Sequence, residues 1–219
     1  MSIKENLLQI QSKIPENVTL VAVSKTKPVA DLMEAYNAGQ RIFGENKIHE
    51  MTEKWEQMPK DIQWHMIGHV QTNKVKYMAE YVSLIHGVDS LKLLQEINKQ
   101  AAKHNRTINC LLQIYIAEEE SKFGLDEQEL TEIFEILKQV QHKNIKIVGL
   151  MGMATFTENQ SQIKKEFQYL KTIFDKYQSL NTEHCQLNTI SMGMSGDYQI
   201  AIDCGSTMVR IGSSIFGIR

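Results

Sequence analysis

The chain has 219 residues, of which 42% are hydrophobic and 23% charged, so it can bury a core in one large α/β domain or two small ones. Its 24 basic and 26 acidic residues give a formal net charge of -2, without the Lys/Arg stripe that a nucleic-acid backbone requires. No apolar run approaches the roughly 20 residues that cross a bilayer. Nucleic-acid binding and membrane insertion are therefore not expected.

The chain start, the cysteines and the prolines bear on compartment and domain organisation. Residues 1–15 predict a short N-terminal helix before the first strand, without an export signal. Cys110, Cys185 and Cys204 lack the paired short spacings of disulfide frameworks and zinc sites, which favours buried thiols in a reducing cytoplasm. With three prolines and no Gly/Ser linker, we expect a single domain over residues 1–219.

Apolar, β-rich segments alternate with longer amphipathic stretches from residue 19 onward, and the helix after the first strand is predicted from about Val29 to Ala38. The predicted strands are residues 19–23, 41–43, 62–67, 82–85, 109–116, 146–150, 187–190 and 208–211. Eight βα units favour a closed (β/α)8 barrel of the TIM type. An open doubly wound sheet is the alternative, but residues 23–28 (VSKTKP) stand where it would carry a Gly-rich dinucleotide turn.

In a parallel barrel the functional groups lie where the strands end. Lys25 follows the first strand, and its amine could point into the barrel mouth, where desolvation or a neighbouring cation would favour the neutral nucleophile that attacks aldehydes. By position alone a solvated lysine is the more common outcome. Asn46 follows the second strand, where its amide could bind a ligand oxygen or cap a helix.

The last two strand ends are rich in small residues. Residues 191–197 (SMGMSGD) and 210–214 (RIGSS) could bring backbone N–H groups close to an anion, and barrels often bind phosphate at these two loops. Two tight turns with hydroxyl caps are the alternative. Arg210 needs an acceptor, which could be a ligand ring nitrogen or a carboxylate in a structural ion pair.

A metal site is not predicted. His65 and His69 have an i, i+4 spacing, but they straddle a strand end and its loop, where that spacing does not align them, and no third ligand is evident. Methionines 151, 153, 192, 194 and 208 are expected to fill the core or line a pocket.

Several motifs, in order along nearly the whole chain, resemble the pyridoxal phosphate homeostasis protein family of the YggS/PROSC type. The matching blocks are residues 23–28 (VSKTKP), 43–46 (FGEN), 64–68 (WHMIG), Glu119, Ser121, Lys122, Gly124, residues 149–151 (GLM), 192–195 (MGMS), 205–212 (GSTMVRIG) and 215–217 (IFG). The chain departs from the usual family pattern at His69, Gly87, Gly152, Ser213 and Ser214. The departures at His69 and Gly152 concern the rim of the expected pocket, whereas Ser213 can still offer its N–H and a hydroxyl.

The resemblance implies a fold similar to the barrel domain of alanine racemase, with pyridoxal 5′-phosphate (PLP) held as a Schiff base by the lysine that matches Lys25. By the same match, Asn46 lies beside the ring and Arg210 faces the pyridine nitrogen. Ser195 and the backbone of Gly212 and Ser213 would receive the phosphate. No residue is assigned a catalytic role.

The implied function is intracellular PLP (vitamin B6) homeostasis: buffering or delivery of PLP, with PLP-dependent apoenzymes as the expected acceptors and an influence on amino-acid and keto-acid balance. We expect a cytoplasmic monomer without a defined reaction. A weak amino-acid racemase is the alternative, although a racemase needs acid/base groups on both faces of its substrate and the sequence ends just after the last predicted strand. A Schiff-base aldolase acting on a phosphorylated sugar would share the lysine and the phosphate loops.

Overall fold

The computed structural model describes residues 2–119, 123–139, 143–179, 181–182 and 184–217. Ser121 and Lys122, which belong to one of the sequence motifs, lie outside these ranges. The strands are β1 (Thr19–Val23), β2 (Ile42–Glu45), β3 (Gln63–Met66), β4 (Leu84–Val88), β5 (Ile108–Gln113), β6 (Ile145–Met151), β7 (Asn181–Thr182), β8 (Cys185–Met194) and β9 (Met208–Ile211). The helices are α1 (Ile3–Gln11), α2 (Val29–Asn37), α3 (Ile48–Gln57), α4 (Leu91–Lys103), α5 (Glu127–Gln139), α6 (Gln160–Tyr177), α7 (Tyr198–Asp203) and α8 (Ser213–Phe216), with a 3₁₀ helix at Thr72–Tyr77.

Eight of these strands form a closed parallel barrel. Their order is β6-β5-β4-β3-β2-β1-β9-β8, and the pairing of β6 with β8 closes the ring. The two-residue β7 pairs antiparallel with the start of β8 and stands outside this pattern. The predicted closed barrel is therefore confirmed, and the open doubly wound alternative is wrong.

Some strand bounds differ from the prediction for a physical reason. The fourth strand, predicted at residues 82–85, runs from Leu84 to Val88 and includes His86 and Gly87. An apolar-run criterion ends before a histidine, yet an inward-facing polar residue is acceptable in a strand when it finds a hydrogen-bond partner inside the barrel. The N-terminal helix ends at Gln11 rather than near residue 15, because the residue before Pro15 is disfavoured in the helical region.

The hydrophobic core has two layers. One large cluster lies between the barrel and the surrounding helices, and it includes Phe43 and Trp64. A separate cluster is formed by one residue from each of five strands, Val21, Leu84, Leu111, Met151 and Met208. Since these strands surround the barrel axis, the second cluster lies inside the barrel. It forms an apolar floor for whatever lies nearer the carboxyl ends of the strands.

Helix α1 supports the end of the barrel sheet. It starts with a capping box in which Ser2 Oγ accepts the Glu5 N–H and the Glu5 carboxylate accepts the Ser2 N–H. From its buried face, Asn6 Nδ2 donates to Ile215 O in α8 over 3.1 Å. The first helix thus holds the short helix that follows the last strand.

Candidate functional site

A cavity of about 660 Å³ lies at the carboxyl ends of the strands. It brings together every residue that the sequence singled out for a binding site. These lining residues are Lys25, Asn46, Ser195, Arg210, Gly212 and Ser213. Each one lies in or just after a barrel strand, where the carboxyl ends of parallel strands converge.

Lys25 lies two residues after the end of β1 and is partly buried. Within the described ranges its amine has no hydrogen-bond or ion-pair partner. The residues on both sides of it are held. Ser24 N–H donates to Gly44 O over 3.0 Å, and Thr26, whose φ of 64° lies in the left-handed region, donates its N–H to Glu50 Oε1. The backbone is therefore fixed around an amine that remains available.

A buried ion cluster beneath Lys25 provides this support. Lys54 Nζ donates to Glu45 Oε1, Glu50 Oε1 and Ser24 O, each over 2.7 Å, and Ser24 Oγ donates to Glu45 Oε1 over 2.6 Å. Lys54 is 5% exposed and Glu45 is fully buried. Burial raises the pKa of Glu45, and the neighbouring Lys54 and Ser24 oppose that rise. We call these four residues the Lys54 cluster.

Asn46 follows β2 and lies at the edge of the cavity. Its side-chain amide has no protein partner in the part of the chain that the structure describes. The backbone packs tightly here, since a Cβ on Gly68 would stand 2.4 Å from Asn46 O. Gly68 therefore lets the ends of β2 and β3 approach closely enough to place Asn46 at the cavity.

The two histidines considered for a metal do not converge. His65 is buried in β3, whereas His69 lies on the cavity rim, where its Nδ1 is 3.2 Å from Asp89 Oδ2 and its ring stands edge-on to Phe123. No group of three potential metal ligands occurs among the described residues. His69, one of the positions where the chain departs from the family pattern, therefore lies on the cavity rim.

The loops after β8 and β9 meet at the opposite side of the cavity. Gly212 N–H donates to Ser195 Oγ over 3.2 Å, and a Cβ on Gly212 would stand 2.9 Å from Val23 O. Ser213 begins α8, and the first N–H groups of a helix have no acceptor within it. Asp197 shapes the β8 loop by accepting the Met194 N–H over 2.5 Å. Hydroxyl and N–H donors therefore cluster here.

Arg210 points into the barrel from β9 and is 4% exposed. Its Nη1 donates to Ser191 O over 2.9 Å and to Ser191 Oγ over 2.5 Å, and its Nη2 donates to Gly152 O over 3.0 Å. Burial lowers the pKa of Arg210 to about 10, and the charge of Asp197 opposes that change. No carboxylate in the described ranges lies within ion-pair distance, so the structural ion pair considered from the sequence is not formed.

Sequence reasoning missed the partners of Arg210. Ser191 Oγ lies 3.0 Å from His86 Nδ1, and His86 Nε2 lies 3.1 Å from His65 Nδ1. Burial lowers the pKa of His65 to about 3, and burial, His65 and Arg210 hold the pKa of His86 well below its ordinary value. Strand alternation was the available signal, because His86 follows the inward-facing Leu84 by two residues.

Comparison with known sequences identifies relatives over the full length of the chain. The family model described as "Alanine racemase, N-terminal domain" matches residues 1–219. Three proteins named pyridoxal phosphate homeostasis protein are similar to this chain. That of Vibrio alginolyticus is 39% identical over 100% of this chain and 98% of its own, that of Escherichia coli K12 is 36% identical over 99% and 97%, and that of Schizosaccharomyces pombe is 42% identical over 95% and 87%.

Solved structures with a similar fold include a member of the same family and an alanine racemase. PipY of Synechococcus elongatus PCC7942, solved with PLP bound, has a TM-score of 0.89 and 33% identity, covering 99% of this chain and all of its own. An alanine racemase of Clostridium difficile 630 has a TM-score of 0.79 at 17% identity, and 56% of its chain is covered. The second comparison concerns the fold alone.

Proposed function

Because the chain belongs to the alanine racemase N-terminal domain family and, within it, to the pyridoxal phosphate homeostasis proteins, we propose that it binds PLP in the barrel mouth and functions in intracellular PLP (vitamin B6) homeostasis. The observation that carries this proposal is one cavity that gathers a lysine amine without a partner among the described residues, a buried arginine and a cluster of small hydroxyl and N–H donors. These groups match the aldehyde, the ring nitrogen and the phosphate of PLP.

Lys25 is proposed to hold the aldehyde as a Schiff base. Its amine would condense with the aldehyde and release water, and a second amine could later displace the lysine, so that the bound group remains exchangeable. The Lys54 cluster supports this role because it fixes the backbone before and after Lys25 without engaging its amine. Asn46 would lie beside the ring at the edge of the cavity.

The phosphate is proposed to lie at the loops after β8 and β9. Ser195 Oγ already accepts the Gly212 N–H, so the hydroxyl proton of Ser195 is free to donate to an anion. The N–H of Ser213 at the start of α8 is a second donor of the same kind. Gly212 would thus act mainly by orienting Ser195, with Val23 O close behind it.

Arg210 is proposed to face the pyridine nitrogen. A guanidinium carries five N–H groups, and three of them are used by Ser191 and Gly152. Two are left for a ligand, since no other acceptor is found among the described residues. A fixed positive charge there disfavours a second one on the ring nitrogen, which weakens the ring as an electron sink. This supports a carrier more than an enzyme of transamination or decarboxylation, and we assign no catalytic residue.

The physiological setting belongs to the same proposal. Cys110, Cys185 and Cys204 are buried free thiols, and burial raises the pKa of each, which fits a reducing cytoplasm. The structure contains, in its described part, no helix with the length and apolar character needed to cross a membrane. We further propose that the chain acts as a single domain and a monomer, with PLP-dependent apoenzymes as acceptors.

The test is an absorption spectrum of the purified protein with added PLP, before and after borohydride. Borohydride reduces the C=N bond of a Schiff base to a stable C–N bond, so a visible band should disappear and mass spectrometry should place the added mass on Lys25. Lys25→Ala should show neither band nor adduct. Lys47→Ala is the matched control, because Lys47 is exposed and lies beside Asn46. A wild-type protein that stays colourless with added PLP contradicts the proposal.

The same samples address the racemase alternative. Tyrosine is one of the side chains that can act as a general acid or base, and none lines the cavity in the described ranges. Repeated conversion of an added amino acid by the wild type, lost in Lys25→Ala, would nevertheless replace the carrier function by a racemase.

A further inference from the structure

A chain of hydrogen-bonded side chains crosses the inside of the barrel. It runs from Arg210 in β9 through Ser191 in β8 to His86 in β4 and His65 in β3, with heavy-atom distances of 2.5, 3.0 and 3.1 Å. All four side chains are at most 4% exposed. The contact of Ser191 with His86 joins strands that are not neighbours in the barrel. Nothing in the proposed binding of PLP accounts for the two histidines.

Which atom donates and which accepts in each of these hydrogen bonds follows from the contact between Arg210 and Ser191. A guanidinium only donates, so Ser191 Oγ accepts from Arg210. The hydroxyl proton of Ser191 then needs an acceptor of its own, and His86 Nδ1 is the one within reach among the described residues. His86 must therefore carry its proton on Nε2, which donates to His65 Nδ1. The donors all point in one direction, from Arg210 towards His65.

We infer that His86, supported by His65, is a positioning residue for Arg210: it accepts the hydroxyl proton of Ser191, which keeps the Ser191 oxygen turned to the guanidinium and the two spare N–H groups of Arg210 directed at the cavity. The last part of this inference rests on the proposed binding of PLP. The donor-to-acceptor direction of the hydrogen bonds between Arg210, Ser191, His86 and His65 does not rest on PLP binding, because it follows from contacts within the protein.

Neutral histidines suit this task better than a carboxylate would. An acid at this place would form an ion pair with Arg210 and engage N–H groups and charge that a ligand could use. His65 and His86 are held neutral by burial, and the nearby charges are those of Arg210 and Asp197. The chain can thus orient the guanidinium while leaving its charge for the cavity.

The first test needs no cofactor. Imidazole ¹⁵N NMR of the apoprotein should find both His65 and His86 with the proton on Nε2, without titration across the range in which the protein is folded. In Ser191→Ala, which removes the donor to Nδ1, His86 should lose this single tautomer. A proton on His86 Nδ1 in the wild type would overturn the inference, whatever the protein binds.

The second test compares His86→Leu, which has no acceptor, with His86→Asn, whose side-chain oxygen occupies the same δ position as Nδ1. We expect His86→Leu to weaken PLP binding about tenfold, as the loss of one buried hydrogen bond does, and to shift the absorption maximum of bound PLP. His86→Asn should keep both close to the wild-type values.

The outcomes of the second test distinguish a failure of the positioning role of His86 from a failure of the proposed PLP binding. Equal weakening in both His86 variants, or none in His86→Leu, would overturn the positioning role, provided that thermal unfolding of the apoproteins shows them folded. If His86→Leu does not fold, Ser191→Ala replaces it and should weaken binding at least about tenfold with the same spectral shift, because it removes the oxygen that contacts Arg210. A wild type that binds no PLP refutes the proposed function, and the tautomers measured in the apoprotein still decide the direction of the chain.

Discussion

One buried cation, Arg210, lines the cavity and another, Lys54, lies beneath Lys25, and the two are held in different ways. Lys54, on the side of β1 and β2, directs its three N–H groups at Glu45, Glu50 and Ser24 O, so its donors are saturated and its charge is opposed by two carboxylates. Arg210, on the side of β8 and β9, is bound by neutral oxygens alone within the described part of the chain. The first cation can only stabilise its surroundings, whereas the second has charge and donors left for a ligand. The acceptors decide which cation can act on the cavity.

The largest expected effect is on stability, at Lys54. In Lys54→Met, Glu45 and Glu50 lose their cation and Ser24 O loses a donor, so the free energy of unfolding should fall by about 3–5 kcal/mol. Urea denaturation of the apoprotein measures this change. Lys176→Met is the control, since its contact with Glu127 is at the surface and should contribute less than about 1 kcal/mol. Equal losses in both variants would show that the Lys54 cluster does not stabilise the fold.

Arg210→Met should reduce PLP affinity more than it reduces the stability of the fold. It leaves neutral acceptors, Ser191 O and Gly152 O, without a donor, so the free energy of unfolding should fall by only about 1–3 kcal/mol. The dissociation constant for PLP, measured by absorption titration, should nevertheless rise more than tenfold, because the charge-assisted hydrogen bond proposed between Arg210 and the ligand would be lost. A variant as unstable as Lys54→Met that binds PLP normally would make Arg210 a structural residue.

The smallest expected effect is a pH dependence at Glu45. Its pKa in the folded protein is raised from 4.5 by burial, so the folded state binds the proton more tightly than the unfolded state. The stability linked to this group is present below pH 4.5 and is lost as the pH rises through the raised pKa. The free energy of unfolding of Glu45→Gln, relative to the wild type, should therefore increase over that range.

Urea denaturation at several pH values measures the difference between the two proteins. Glu158→Gln, in a loop between β6 and α6 and exposed, is the control and should follow the wild type at every pH. If the advantage of Glu45→Gln instead falls with rising pH, then Lys54 outweighs burial and the carboxylate of Glu45 is a net stabilising charge.

The sequence predicted the barrel and the residues that line the cavity better than it predicted the residues that support the cavity. Lys25, Asn46 and Ser195 follow apolar runs, so a strand count was enough to bring them to one end of the barrel. The roles expected of them came from the family resemblance and remain predictions. Strand ends are local features of a sequence, which is why they could be found.

The supporting residues depend on contacts between distant segments. Lys54 lies on α3, and lysines on helices usually reach water; its burial follows only from Ser24 and Glu45 in other elements. His86 ended a predicted strand because it is polar, and the partner that makes it acceptable there, Ser191, is 105 residues away. No local pattern contains such pairs.

The closure of the barrel also determines when a nascent chain can acquire its ligand. Strand β9 completes the ring by pairing with β1, with Ala22 beside Ile211, and α8 is then tied back to α1 through Asn6. A ribosome must therefore synthesise the chain through β9 before Lys25 and Arg210 can face the same cavity. Contacts of such long sequence separation form late and slowly. PLP capture is thus expected after translation rather than during it, so a stalled ribosome would hold a chain with Lys25 but no ligand site.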